Sequence, residues 1–167
     1  TLYILTYKNS SEIPSKASVF YRRVIDSLFI EHDSKTKVGF QRERVSRISF
    51  DKFYDVMMKF SFVSFFEDRF SFDTHYACDR ISRIISKDLN CSFSSEELIE
   101  DLKLSFSFWI DDSGELSFAH KSLQEYFCAL YIRDLGEPQK QDIYERLLRK
   151  ADGGRDVFNL LSILEEV

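Results

Sequence analysis

The chain has 167 residues, 44% of them hydrophobic and 31% charged, enough apolar content to fold around a core without disulfides or metals. Its formal net charge of −5, from 28 acidic and 23 basic residues, creates no overall field toward a phosphate backbone and argues against nucleic acid as a partner. No stretch reaches the roughly 18 uncharged apolar residues that cross a bilayer, and Thr1 to Leu5 lacks a basic leader and a cleavage site, so the expectation is a soluble, cytoplasmic protein without a membrane partner.

The short apolar run Leu2 to Leu5 reads as the end of a first helix, over residues 1 to 11, whose beginning lies upstream. Ile13-Pro14-Ser15 breaks the chain, because proline favours an extended residue before it. From Ser15 to Ile30, Phe20, Tyr21, Val24, Ile25, Leu28 and Phe29 recur at three and four, which predicts a helix with one broad buried stripe. From His32 to Arg47 no period survives, and a loop is expected. Phe50, Phe53, Val56, Met57, Phe60 and Val63 then predict a helix from about Ser49 to Glu67.

Asp73 suits the cap of a helix carrying Ala77, Ile81, Ile84 and Ile85, and Ser94-x-x-Glu97 is a capping box opening another with Leu98, Ile99 and Leu102. Leu104, Phe106, Phe108 and Ile110 alternate with Ser105, Ser107 and Trp109, the period of a strand. Asp112-Ser113-Gly114 supplies a turn, and Leu116 and Phe118 alternate on a return strand, so a β-hairpin is predicted. Helix, helix, hairpin is the winged-helix order.

A strong helix is expected from about His120, with Leu123, Tyr126, Phe127, Leu130 and Tyr131 as its apolar stripe; Ser122-x-x-Glu125 fits a capping box, although the cap can also lie a residue or two earlier. Gly136 and Pro138 end it. Two further helices, roughly Pro138 to Lys150 and Arg155 to Val167, flank Asp152-Gly153-Gly154. The last of them, like the first helix, reads as continuing beyond the sequence, and the expectation is a fragment of a longer chain.

Three signals of chemistry are weaker than they look. Phe106 to Asp112 imitates a Walker B strand, but no glycine precedes a lysine in a G-x-x-x-x-G-K-[ST] loop, and Asp111 and Asp112 are better placed as hairpin-tip residues. Hence no Walker A or Walker B, no catalytic residue and no enzyme activity is expected of this chain. Cys78, Cys91 and Cys128 contain no C-x-x-C pair and read as buried thiols, and with His32, His75 and His120 they show no metal-ligand spacing. A DNA-reading wing would carry Asp111, Asp112 and Glu115 at its tip and Glu96, Glu97, Glu100 and Asp101 on the second helix, with Arg42, Arg44 and Arg47 as its sole support. The 17 phenylalanines fall at helical or strand spacing and read as core.

The run Phe118-Ala119-His120-Lys121-Ser122-Leu123-Gln124-Glu125-Tyr126-Phe127-Cys128-Ala129 resembles the F-x-H-x-S-[LF]-Q-E-[YF]-[FL]-A-A signature that closes the winged-helix domain of NACHT-family signal-transduction (STAND) NTPases. Upstream, Leu2-x-x-Leu5-Thr6-Tyr7-Lys8-Asn9 through Ile13-Pro14 and Val19-Phe20-Tyr21 is similar to the segment after the nucleotide-binding core of bacterial NACHT proteins. Cys128 stands where the signature has Ala. The order of elements agrees over residues 1 to 135, and motif text is confined to 1–30 and 118–132.

The resemblance implies a mainly α fold: a helical subdomain over residues 1–68, a winged-helix domain with a small β-hairpin over 69–135, and the start of a second helical region over 136–167. It implies a regulatory, nucleotide-state-sensing and autoinhibitory module, plausible in prokaryotic innate or antiphage defence. ADP or ATP with Mg would be bound in the full-length parent and not by this chain alone. Its partner would be the NTPase core of the same polypeptide, with oligomerisation on activation. His120 would contact the ADP β-phosphate together with that core. The residues alone leave His120 open to a second role, a structural histidine that caps its helix or bonds to the hairpin. Gln124 and Glu125 read as cap and inter-helix hydrogen-bond residues, Tyr126 and Phe127 as core. A DNA-binding winged helix and a passive helical scaffold are the alternatives.

Overall fold

A computed structural model of the protein describes residues 14–31, 44–87 and 91–167. The helix expected over residues 1 to 11, Arg42 and most of the loop expected from His32 lie outside the described residues. Among the described residues the chain is mainly helical, with seven α-helices and a three-stranded antiparallel sheet. Helix α1 spans Ala17–Glu31 and α2 Phe50–Phe66, followed by β1 Ser71–Asp73 and α3 Thr74–Ile85. Helix α4, Ser95–Glu100, runs straight into a π-helical turn, Asp101–Ser105, before β2 Trp109–Asp112 and β3 Glu115–Phe118. Helices α5 Lys121–Arg133, α6 Glu137–Asp152 and α7 Phe158–Glu166 complete the described chain.

Local capping chemistry sets most of these boundaries. Ser49 caps α2 by accepting from Lys52 N, and Asp73 caps α3 by accepting from Tyr76 N at 2.7 Å. Ser94 and Glu97 form the reciprocal capping box of α4. Gly136 opens α6 with Pro138 in its first turn, so these two residues begin a helix as well as end one. Helix α1 borrows its cap from far away: the Glu166 carboxylate of α7 accepts from Ser18 N at 2.7 Å. Those bonds hold the Glu166 carboxyl below its ordinary range.

The hairpin turns through Ser113 and Gly114, both at positive φ (56° and 94°), the mirror-image turn whose twist suits paired strands. Its register pairs Trp109 with Phe118 and Asp112 with Glu115. A third strand, β1, pairs with β3 and places Phe72 opposite Leu116, giving the order β1-β3-β2. Phe72, Trp109, Leu116 and Phe118 share the buried face, while Ser71, Asp73, Ile110, Asp112, Glu115 and Ser117 share the other.

The strand expected over Leu104 to Ile110 is shorter, and its alternation does not survive. Asp101 is fully buried and organises this stretch. Its carboxylate accepts from Val45 N and Ser46 N, both at 2.9 Å, and from the hydroxyls of Ser46 at 2.5 Å and Ser105 at 3.1 Å. Its carbonyl accepts from Phe106 N at 2.8 Å, closing the wide turn. The extra residue in that turn sends Ser105 and Phe106 inward and leaves Leu104 44% exposed. Ser107, at φ 53°, then resets the direction, so Phe108 and Trp109 are both buried and Ile110 is exposed. Asp101 is therefore not a surface acid of the second helix.

Helix α5 differs from its expected amphipathic form. Every residue from Ser122 to Leu130 is buried, because α1, α2, α6, α7 and β3 all pack around it. The apolar core is one continuous cluster from Phe20 to Ile163, drawing on every helix and the sheet. Within it Phe53 contacts Phe106, Phe108 and Phe127 at centroid distances of 5.2, 5.2 and 6.0 Å, and Phe29 stacks on Phe106 at 5.0 Å and 11°. A second group, Phe60, Phe72, Trp109 and Phe118, seats the sheet on α2.

Two stability predictions follow from these bonds. Asp101→Ala strips the acceptor from buried donors on two segments and should cost about 3 kcal/mol in urea unfolding; a loss below about 1 kcal/mol would show that water or relaxation replaces the carboxylate. Glu166 stabilises the fold while ionised, fully so above its ordinary value of 4.5, and this is lost as pH falls through the depressed folded value. The unfolding free energy of Glu166→Gln should therefore decline less steeply below pH 4.5 than that of the parent, as followed by denaturant titrations across the acid range.

Candidate functional site

The motif-bearing segment begins where β3 delivers the chain to α5. Ala119 N donates to Phe108 O at 2.7 Å, which ties the end of the hairpin to the residue before β2. His120 follows in an extended conformation, φ −149° and ψ 129°, as the cap of α5. Its Nδ1 accepts from Ser122 N at 3.3 Å and its carbonyl accepts from Leu123 N at 2.9 Å. With Nδ1 in the accepting role, Nε2 is the ring nitrogen left to donate. The side chain is exposed, and Nε2 has no partner among the described residues. The cap is thus at His120 rather than in a Ser122-x-x-Glu125 box.

The residues after it turn the other way. Gln124, 1% exposed, donates through Nε2 to Ser64 Oγ at 2.8 Å and to Arg69 O at 3.0 Å, joining α5 to the end of α2. Glu125, 2% exposed, accepts from Asn159 Nδ2 of α7. Lys121 Nζ lies 3.2 Å from Glu125 Oε1 without the alignment of a hydrogen bond, 3.6 Å from Asp156 Oδ2 and 5.2 Å from the centre of the Phe70 ring. Tyr126 packs against Tyr21 at 5.6 Å, and Phe127 belongs to the central aromatic group. His120 and Lys121 are the exposed side-chain donors of the motif, the lysine already beside Glu125 and Asp156, and the buried residues hold the helix in place.

Of the other sequence-selected residues, Asp111, Asp112 and Glu115 are exposed at the hairpin. Asp111 pairs with Lys103 and accepts from Gly114 N at 2.9 Å, and these two bonds, the lysine's first, hold its carboxyl below the ordinary range. Ser71 donates to Glu115 at 2.5 Å. The outer face of the sheet therefore presents Asp73, Asp112 and Glu115 around Ile110, a surface that repels phosphate. Arg44 lays its guanidinium over Phe29 at 4.4 Å and Phe106 at 5.7 Å, closing the core.

Among the described residues no three His, Cys, Asp or Glu side chains form a group that could hold a metal ion. Cys128 is fully buried, and burial, reinforced by the Glu125 charge, pushes its thiol well above the ordinary range. Cys78 and Cys91 are partly exposed. Burial also raises the Cys78 thiol, with Glu96 adding to it. Among the described residues no helix is long and apolar enough to cross a membrane. No family model, curated protein or solved structure matches this chain.

The depth of Cys128 is open to direct measurement. Iodoacetamide at pH 8 should alkylate Cys91 and, more slowly, Cys78 in the folded protein and reach Cys128 only after denaturation, as read by peptide mass spectrometry. Labelling of Cys128 in native buffer at the rate of Cys91 would mean that α5 is not sealed on all sides.

Proposed function

We infer that this chain is the regulatory, nucleotide-state-sensing and autoinhibitory module of a NACHT-type signal-transduction ATPase. In this proposal α3, α4 and the β2–β3 hairpin constitute a winged helix, with β1 as its third strand. The helices before residue 69 belong to a helical subdomain, and α6 and α7 begin a second helical region. A core elsewhere in the same polypeptide binds ADP or ATP with Mg, since the sequence has no phosphate-binding loop of its own. Signalling in the cytoplasm, prokaryotic defence and oligomerisation on activation belong to the same proposal.

The observation that carries it is the presentation of His120. The hairpin hands over to α5 at an exposed imidazole whose inner nitrogen is engaged and whose outer nitrogen is a free donor. The sequence around it resembles the family signature, in which this position is assigned a phosphate contact. Ser122 N and Leu123 N are already used by His120 itself, so an anion here would meet the ring, with the exposed Lys121 ammonium beside it, rather than those two backbone donors. An Nε2–H on a rigid helix is well suited to a phosphate oxygen held by a facing lobe.

Two substitutions in the full-length polypeptide separate sensing from capping. His120→Ala removes both the cap and the outward donor. His120→Ser keeps a capping oxygen but loses the reach. Both should release ADP roughly tenfold faster than the parent and raise basal signalling, the scale expected for one hydrogen bond to a charged group. A fluorescent ADP analogue measures the release. Unchanged release in His120→Ser, with only His120→Ala losing thermal stability, would reduce His120 to a structural cap and defeat the sensor assignment. A DNA-reading winged helix has less support, because its wing and outer sheet face are acidic.

A further inference from the structure

Helix α6 is 16 residues long, yet Ile143 and Leu147 are its only buried side chains. Helix α5, with 13 residues, buries ten, from Ser122 to Leu130 together with Ile132. A helix of the length of α6 is marginal in water on its own, so two apolar side chains and a few polar contacts keep it in place. Its packing on the core is also incomplete. An open groove of about 360 Å³ separates parts of α6 from α2 and α5, lined by Phe62, Tyr131, Leu135, Gln139, Asp142 and Ile143. Side chains beside such a gap forgo the contacts that a closed interface would supply.

The polar fastening is concentrated at one end. Asp68, just after α2 and at φ 56°, accepts from Lys150 Nζ in the last turn of α6 at 2.7 Å, and its other oxygen lies 3.9 Å from Arg155 in the loop that follows. Phe66 lies beside the same turn, with Arg146 and Lys150 over its ring at 4.7 and 5.9 Å. Glycine stands at both ends of the helix: Gly136 precedes α6, and Gly153-Gly154 follows it, Gly154 at φ 78°. Such connections change direction without a side-chain clash. Helix α7 has anchors of its own, the buried Leu160 and Ile163, Asn159 on Glu125, and Glu166 on Ser18.

We propose that α6 is a strap that opens as one unit about its flanking glycines while α5 and α7 stay packed, with the Asp68 carboxylate as its latch. Opening releases Ile143 and Leu147 from the core and uncovers the ring of Phe66. The central helix stays where it is, and so does His120 at its start. The proposal is therefore independent of the nucleotide-sensing reading, and its test involves no nucleotide.

Native-state amide hydrogen exchange, read by NMR on the whole chain, measures the opening of each helix. Corrected for intrinsic rates, the amides of Ile143, Leu147 and Lys150 should exchange roughly hundredfold faster than those of Tyr126 and Leu130, and faster than that of Ile163. Their opening should also depend on urea with a slope well below that of global unfolding. Asparagine tolerates the left-handed backbone at position 68, so Asp68→Asn removes the charge and keeps the turn. It should speed exchange in α6 about threefold, the scale of a partly exposed ion pair. Ile81→Val weakens core packing in α3 that survives in the open state. It should speed exchange in α5 roughly fivefold, through global unfolding, and leave α6 unchanged. Amides of α6 as slow as those of α5, acceleration of α6 by Ile81→Val to the same extent as α5, or no effect of Asp68→Asn on α6 would each overturn the proposal.

Discussion

Helix α5 has no solvent face over nine consecutive residues, from Ser122 to Leu130, and this constraint orders the rest of the molecule. A helix surrounded in this way must find protein partners for its polar side chains, because an unpaired buried amide or carboxylate costs several kcal/mol. Gln124 meets the requirement by reaching Ser64 and Arg69 at the end of α2. Glu125 meets it at Oε2 through Asn159 on α7, while Oε1 makes no hydrogen bond and has only the charge of the nearby Lys121. The two residues point to different neighbours, so together they oppose both rotation and sliding of α5. The aromatic cluster supplies the bulk of the burial, and these polar contacts select one orientation within it.

Asp101 plays the corresponding part on the other side of the core. It fastens the irregular stretch around Val45 and Ser46 to the π-helical turn, and that turn aims Phe106 and Phe108 at Phe53. The hairpin can then start only at Trp109. Its last strand ends at Phe118, and the Ala119–Phe108 bond draws the exit of the hairpin back toward its entry. His120 is consequently placed by two anchored bodies, the sheet behind it and α5 ahead of it. Long-range contacts made by Glu166 with Ser18 and by Lys150 with Asp68, each at 2.7 Å, bind the helices after residue 136 to the same core.

The features legible in the sequence were those governed by near neighbours. Asp73, Ser94 and Glu97 cap helices within three residues of themselves, and Ser113-Gly114 adopts positive φ for reasons internal to the turn. The alternation from Leu104 to Ile110 misled because its cause lies outside the window: a carboxylate at 101, satisfied by backbone at 45 and 46, makes a wide helical turn worth more than strand pairing there. Strand β1 is three residues long and carries one buried side chain, too little to show a period. Helix α5 reads as amphipathic because Ser122, Gln124 and Glu125 are polar, and nothing local reveals that Gln124 finds its partner sixty residues back and Glu125 more than thirty ahead. The groove was equally hidden, since its lining comes from positions 62, 131, 135, 139, 142 and 143 on three helices.

The division of labour within the motif bears on how a sensor of the proposed kind would work. The ring of His120 serves the helix through Nδ1 and is left with one donor, Nε2. These roles support one another, because an acceptor bound at Nε2 favours the tautomer that leaves Nδ1 free to cap. Loss of such an acceptor would leave the grip of α5 on α2 and α7 in place, because that grip runs through Gln124 and Glu125. A module built in this way would leave a nucleotide-bearing lobe as a rigid body, its hairpin and central helix moving together. State sensing of the proposed kind would thus rest on a fixed donor on a preorganised support, in which the support does not have to unfold for the contact to be lost.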